Sequence, residues 1–329
     1  MAYPVSMNPA VSDSPLIVIV GPTASGKSAL GVTLAKQFGG EIVACDSTQL
    51  YRGFDIGTAK PSLSERVGIP HHLLDVLNAD EPSTAGDYRE RAEAVLAELK
   101  VRKKLPIFTV GTGLYLRALL EGLADLPQRS EEIRERLRES AAAHGPGHLH
   151  ATLKKLDAET AAKIAPADEQ KIIRAIEVCL LTRKPISEVH RTARKPLLSW
   201  SPIKIGLQPQ REALVERIHS RTDTMLANGW LAEVRTLMNQ NFPENAKPFD
   251  FIGYRELREV LWNKIKLEAA RAAIQQSTRQ YAKRQLTWFR REPGVHWLAG
   301  FGDAPEIQRA AADHLASRGL PRDEHFASV

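Results

Sequence analysis

Apolar and polar positions alternate with two periods along this chain. The run Leu16-Ile17-Val18-Ile19-Val20 predicts a strand, and the pattern after it predicts a helix over 26–38, followed by a second strand over 41–45. A further helix over Asp87–Lys103 leads into a strand at Ile107–Val110, so strands and helices alternate as in a parallel sheet. Between about Leu126 and Trp200 the period becomes helical only, with helices expected over Glu131–Ala143, His148–Leu156 and Asp168–Leu181. The strand pattern returns at Ile203-Lys204-Ile205-Gly206-Leu207. Helices across Arg211–Asn239 and Leu267–Arg291 and a short strand at Val295–Leu298 follow. The expected organisation is an α/β core of P-loop type over 15–125 and 201–300, a parallel sheet flanked by helices, with an all-helical insertion over 126–200. Residues 1–14 read as a loose tail and 301–329 as a C-terminal helix and tail.

The ends of the strands carry the chemistry. In such sheets ligands collect beyond the carboxyl edge, and three polar segments are expected there: Gly21–Ser28, Asp46-Ser47-Thr48-Gln49 and Gly111-Thr112-Gly113. The first reads Gly21-Pro22-Thr23-Ala24-Ser25-Gly26-Lys27-Ser28, a P-loop between a strand and a helix. Gly21 and Gly26 allow the tight turns that aim N–H groups at phosphate oxygens, Lys27 adds a mobile charge, and Ser28 can hold magnesium. The helix N-terminus adds about half a positive charge. The same cradle serves triphosphate hydrolysis, kinase chemistry and displacement of diphosphate. Asp46 directly follows an apolar strand at the edge that Lys27 shares. It is a candidate general base, a magnesium-organising carboxylate, or a cap for Thr48 and Gln49.

Composition narrows the field. With 329 residues, 43% hydrophobic and 26% charged, the chain is long enough for one large domain and a smaller one. Cys45 and Cys179 lie far apart, which argues against a zinc site or a disulfide scaffold and fits a reducing cytoplasm. The first apolar run is too short for a signal-peptide core, and no stretch approaches the roughly 18 apolar residues of a membrane span. The net charge of +6 is matched by one acid-free segment, Ala269–Arg291, which holds Arg271, Arg279, Lys283, Arg284, Arg290 and Arg291. At 100° per residue Arg279, Lys283 and Arg290 form one stripe and Arg284 and Arg291 an adjoining one, opposite Ile274, Tyr281, Ala282, Trp288 and Phe289. A basic helical face of this kind suits either solvent or a polyphosphate partner such as RNA. Tyr281, Trp288 and Phe289, on the other face, are expected as core anchors.

Beyond the P-loop the chain carries Asp46-Ser-Thr-Gln-Leu-Tyr-Arg-Gly53, Asp55-Ile-Gly-Thr-Ala-Lys-Pro61, Pro70-His-His72, Gly111-Thr-Gly-Leu-Tyr115, Arg174-Ala-Ile-Glu-Val178, Gly253-Tyr-Arg255 and Thr278-Arg-Gln-Tyr-Ala-Lys-Arg-Gln-Leu-Thr-Trp-Phe289. In this order, from about residue 16 to 298, the blocks resemble the bacterial tRNA dimethylallyltransferase family. The resemblance implies transfer of a dimethylallyl group from dimethylallyl diphosphate to the exocyclic amine of the adenosine just 3′ of a tRNA anticodon, with release of diphosphate. It implies that Gly21–Ser28 hold the diphosphate, with Lys27, Thr23 and a magnesium ion near Ser28 offsetting the charge that grows as the allylic C–O bond breaks. Asp46 matches the catalytic aspartate, Arg174 and Arg221 match arginines of diphosphate binding and catalysis, and Thr112 is counted with the catalytic set. Asp46, Ser47, Thr48, Gln49, Thr112 and the run Gln170, Lys171, Ile172, Ile173 and Arg174 match positions that contact tRNA. The helical insertion is expected to grip the anticodon stem-loop, with Arg279, Lys283 and Arg284 supplying backbone contacts.

Val110-Gly111-Thr112 stands where many members have Gly-Gly-Thr, and Lys171 where many have arginine, which removes a bidentate fork. With two cysteines, a zinc-finger tail like that of eukaryotic relatives is not expected. The rival readings are an adenylate isopentenyltransferase acting on free AMP, ADP or ATP, a P-loop kinase or ATPase, and a non-catalytic RNA-binding protein. Monomer is the default oligomeric state. His71 and His72 are expected in loop or capping roles.

Overall fold

The computed structural model describes residues 14–124, 126–191, 195–240 and 242–323. Most of the expected N-terminal tail and the last residues of the C-terminal tail lie outside them. Ser14 is described and opens the first strand. The chain forms two compact units, one from residues up to Leu119 and from Leu198 onward, the other Leu120–Leu197.

In the first unit six parallel strands, β1 (Ser14–Val20), β2 (Gly40–Cys45), β3 (His71–His72), β4 (Leu105–Val110), β5 (Trp200–Leu207) and β6 (Val295–Leu298), form one sheet in the order β3-β2-β4-β1-β5-β6. Helices α1 (Lys27–Phe38), α2 (Leu63–Arg66), α3 (Ala85–Val101) and α4 (Gly113–Glu121) follow the early strands. The register pairs Cys45 with Val110 and Ile19 with Thr109, so β2, β4 and β1 end level with one another. From β1 the chain crosses to β2 on one side, while from β4 it proceeds to β5 on the other. The crevice between β1 and β4 is therefore the topological switch point, where open parallel sheets bind ligands.

The strands are apolar on both faces because helices cover both. Ile17, Ile19, Leu30, Leu34, Ile42, Ile107, Ile205 and Leu315 are all buried in one core. Helix α3 starts where Thr84 accepts the Asp87 N–H and Asp87 accepts the Thr84 N–H, a reciprocal cap.

The all-helical unit contains α5 (Glu131–His144), α6 (His148–Leu156), α7 (Ala158–Ala161), α8 (Glu169–Thr182) and α9 (Ile186–Val189) around a core of Leu149, Leu153, Ile172, Ile173, Ile176 and Val178. Glu177 is buried beside that core. Burial pushes its carboxyl up, but hydrogen bonds from Arg134 at 2.9 and 3.0 Å, Arg174 at 2.7 Å and the Ser130 N–H at 2.8 Å outweigh this and hold it down to about 2.

Back in the first unit come α10 (Arg211–Ala227), α11 (Trp230–Met238), α12 (Tyr254–Leu261), α13 (Leu267–Phe289) and α14 (Pro305–Ser317). The helical pattern expected over Arg211–Asn239 is two helices. Gly229, with φ +96°, turns the chain between them in a conformation open to glycine. Among the described residues no helix is long and apolar enough to cross a membrane.

Candidate active site

The carboxyl ends of β1, β4 and β2 open into a cleft of about 1290 Å³, and every residue that lines it belongs to the first unit. The segment Gly21–Gly26 joins β1 to α1 along its floor. Unlike α3, helix α1 begins without a side-chain cap and with no acidic residue in its first turn, so its leading N–H groups are left for an anion. Gly26 is required twice over. Its φ is +87°, and a Cβ there would meet the Gly302 nitrogen at 2.8 Å, because Gly302 donates its N–H to the Ser25 carbonyl at 2.8 Å and braces the loop from beyond β6.

Two cations converge on the cleft. Lys27 donates to the Gly21 and Pro22 carbonyls at 2.9 and 2.8 Å. Burial lowers its pKa to about 8, the Asp46 charge opposes that shift, and the Arg221 charge adds to it. Arg221, on α10, makes no ion pair among the described residues and its pKa is lowered by burial, with Asp46 and Glu65 opposing. Arg217, one turn earlier, stacks on Phe301 at 3.9 Å and pairs with Asp303 at 2.7 and 3.0 Å. Two desolvated cations with no carboxylate ion-paired to them among the described residues suit an anionic ligand.

Asp46 begins the segment after β2. Its Oδ1 accepts the Thr48 N–H at 2.9 Å and the Thr48 hydroxyl at 2.7 Å, which is the capping role, while Oδ2 accepts no hydrogen bond from the described residues. Oδ2 lies against Gly111, where a Cβ would come within 1.9 Å of it. The two segments are laced together: Gly111 and Thr112 donate N–H groups to the Cys45 carbonyl, Ser47 donates its N–H to Thr112 Oγ1 at 2.9 Å, and Thr112 donates its hydroxyl to Ser47 Oγ at 3.1 Å. Gln49 reaches the Thr58 and Ala59 carbonyls at 3.2 Å.

A second cavity of about 290 Å³ shares Thr23, Asp46, Arg221, Met225 and Tyr281 with the cleft and adds Ile218, Phe251, Ile252 and Ile274. Trp230 also lines it, wedged between two glycines. A Cβ on Gly57 would come within 2.4 Å of its ring and one on Gly253 within 2.0 Å. Glu233, on the same helix, accepts the Asp55 and Ile56 N–H groups and the Tyr254 hydroxyl. The blocks Asp55–Pro61 and Gly253–Arg255 are thus a clamp around α11.

The IPP transferase family model matches residues 49–292, and an isopentenyl transferase model matches residues 14–79. The chain belongs to the IPP transferase family. Within it, the chain is 52% identical to the tRNA dimethylallyltransferase of Koribacter versatilis over 90% of this chain and 96% of that one. Among solved structures it is similar to the full-length tRNA isopentenylpyrophosphate transferase of Bacillus halodurans, with a TM-score of 0.68 and 33% identity over 93% of this chain and 96% of that chain. It is also similar to a eukaryotic dimethylallyltransferase acting on tRNA, with a TM-score of 0.77 and 29% identity over 94% of this chain and 81% of that chain. Membership of the IPP transferase family sets aside the kinase and ATPase readings.

In this IPP transferase the cleft brings together Gly26, Lys27, Ser28, Asp46, Gln49 and Arg221, with Thr112 bonded behind them. Arg174 belongs to the helical unit, where its guanidinium donates to Glu177 and to the Pro127 carbonyl at 2.9 Å. Within the run Gln170–Arg174, the side chains of Ile172 and Ile173 belong to the core of the helical unit, 2% and 4% exposed. On α13, Arg271 is neutralised by Asp223 of α10 at 2.6 Å and Arg279 lies 2.5 Å from His219 Nε2, whereas Lys283 and Arg284 are exposed. Tyr281 is more than a core anchor, since it lines both cavities and donates its hydroxyl to the Gly111 carbonyl at 3.0 Å. His72 lies in β3 and pairs with Glu41 at 2.7 Å. Gln285 had no role assigned. Its signal was a polar residue on the buried stripe of Ile274, Ala282 and Phe289.

Proposed function

We propose that this IPP transferase moves a dimethylallyl group from dimethylallyl diphosphate to the exocyclic amine of the adenosine 3′-adjacent to a tRNA anticodon. The observation that carries the reading is the convergence of Lys27, carboxylate-free Arg221 and the uncapped start of α1 on one cleft, with the open Oδ2 of Asp46 on the same wall. The diphosphate takes the cradle and the five-carbon group the apolar cavity of Ile218, Met225, Phe251 and Ile274. As the allylic C–O bond breaks, its electron pair leaves with the diphosphate, whose growing charge is met by Lys27 and Arg221. The adenine amine supplies the pair for the new C–N bond and gives its proton to Asp46, because its own lone pair is delocalised and the nitrogen is a poor nucleophile.

Among the described residues no group of three or more His, Cys, Asp or Glu side chains could hold a metal. The Ser28 hydroxyl and the Asp46 carboxylate on the cleft wall are hard oxygen donors, too few to bind a cation alone. That fits magnesium, which keeps several waters and takes ligands from substrate phosphates. Ser28 would hold it, and it would supply positive charge to offset that of the leaving group.

The target base leaves its stack at a cost of about a few kcal/mol. Ser47, Thr48 and Gln49 read it, Gln170, Lys171 and Arg174 of the helical unit hold the anticodon stem-loop, and Arg279, Lys283 and Arg284 contact backbone phosphates. The enzyme acts as a monomer in the cytoplasm. The test offers unmodified tRNA and its isolated anticodon stem-loop with dimethylallyl diphosphate and maps the product by nucleoside mass spectrometry. One added C5H8 unit on the adenosine 3′ of the anticodon in both RNAs is expected. Modification at another nucleotide would overturn the assignment.

A further inference from the structure

The cradle and the carboxylate come from different strand ends, and one side chain touches the backbone of both. Gln285, on α13, is 6% exposed. Its Oε1 accepts the Thr23 N–H at 2.7 Å, inside the P-loop, and its Nε2 donates to the Gly111 carbonyl at 2.8 Å, beyond β4. Tyr281, one turn earlier, donates to the same carbonyl at 3.0 Å. Gly111 is the residue against which Asp46 Oδ2 rests, and its own N–H is fixed to the Cys45 carbonyl at 2.9 Å, next to Asp46. A single planar amide therefore spans from the diphosphate cradle to the platform beneath the proposed base.

We infer that Gln285 is a positioning residue that sets the separation between the leaving-group cradle and Asp46. The inference rests on the reaction proposed above. Only an amide satisfies both ends, since Thr23 presents a donor and Gly111 an acceptor. A carboxylate of the same shape keeps the Thr23 bond, loses the Gly111 bond, faces one acceptor with another, and adds negative charge beside an anion site. The Thr23 N–H, being tied to Gln285, is directed at the protein. The phosphates are left to the N–H groups of Gly26 to Ser28 and to Lys27 and Arg221.

Three variants test this: Gln285→Met, which removes both bonds at similar volume, Gln285→Glu, which removes one, and Tyr281→Phe, which removes only the neighbouring hydroxyl. Each is checked for folding by circular dichroism and assayed for single-turnover transfer to tRNA at saturating substrates, with inorganic diphosphate affinity measured separately. A small misplacement of reacting groups costs on the order of 10²-fold in rate. Gln285→Met is expected to lose about that much while diphosphate affinity changes by less than about threefold, and Gln285→Glu to lose both rate and affinity. Tyr281→Phe keeps its ring and the fold, so it reports even if the Gln285 variants do not fold, and a loss of about 3–10-fold in rate at constant affinity is expected. Folded variants that transfer at the wild-type rate, even with lowered melting temperatures, overturn the inference and leave Gln285 a packing residue. Wild-type protein that transfers nothing to tRNA overturns the proposed reaction instead.

Discussion

Substituting Gly111 by alanine displaces the proposed base without removing any functional group that would meet substrate. The added Cβ would lie 1.9 Å from Asp46 Oδ2, 2.7 Å from its Cγ and 3.2 Å from its Cβ. Oδ2 must retreat by about 1.5 Å to reach ordinary contact at 3.4 Å, and neither side yields freely. Asp46 is tied by two hydrogen bonds from Thr48, and Gly111 by its N–H to Cys45 and by Tyr281 and Gln285 on its carbonyl. At about 1 kcal/mol net per bond, breaking the two Thr48 bonds is the cheaper relief, so the carboxylate moves and the platform stays. A displacement of that size removes most of a general base's contribution, which is about 10² to 10⁴ in rate. The P-loop backbone, Lys27 and Arg221 keep their places. Single-turnover transfer to tRNA by Gly111→Ala is therefore expected to fall by at least about 10²-fold, with the Kd of inorganic diphosphate, measured by calorimetry, within about threefold of wild type. A folded variant with a wild-type rate would show that the position of Oδ2 does not matter to the reaction.

Two further predictions follow from the charges. With Lys27 held at about 8 by burial and by Arg221, an anion that needs it protonated must bring a proton with it above that pH. Diphosphate affinity should be flat below about pH 8 and fall by up to about tenfold per unit above it, whereas affinity constant to pH 10 would contradict the shift. In the helical unit, Glu177 is held at about 2, below its ordinary value, so its stabilising effect is complete above about pH 4.5 and is lost as pH falls toward 2. Glu177→Ala leaves Arg134 and Arg174 without their carboxylate and should cost about 3 kcal/mol, the low end for a broken buried pair because both guanidinia keep some water. An unchanged thermal melt would refute it.

The parallel sheet and its loaded edge were legible because a continuous apolar run followed by a glycine-bounded loop has few other readings. Other features were hidden for identifiable reasons. Strand β3 is two residues long, too short for any period, and rests on pairing with β2. The break at Gly229 falls inside a pattern that stays apolar at helical spacing on both sides, and the Asn228-Gly229 pair is the one local sign of it. The buried Ile172 and Ile173 lie in a run read from resemblance as RNA contacts, although their spacing with Ile176 is that of a core stripe. Gln285 and Tyr281 work on backbone groups of Thr23 and Gly111, which are distant in sequence. The purpose of the block around them became visible only when three strand ends were brought together.

The central claim is that Asp46 and the P-loop act together to alkylate a base in tRNA. It is tested most directly by incubating the protein and its Asp46→Asn variant with magnesium and radiolabelled dimethylallyl diphosphate, offering unmodified tRNA in one reaction and AMP or ATP in another. Label on tRNA alone, reduced by about 10² to 10⁴ in the variant while diphosphate still binds, is the expected result. Label on the free nucleotide, or undiminished label on tRNA with Asp46→Asn, would contradict it.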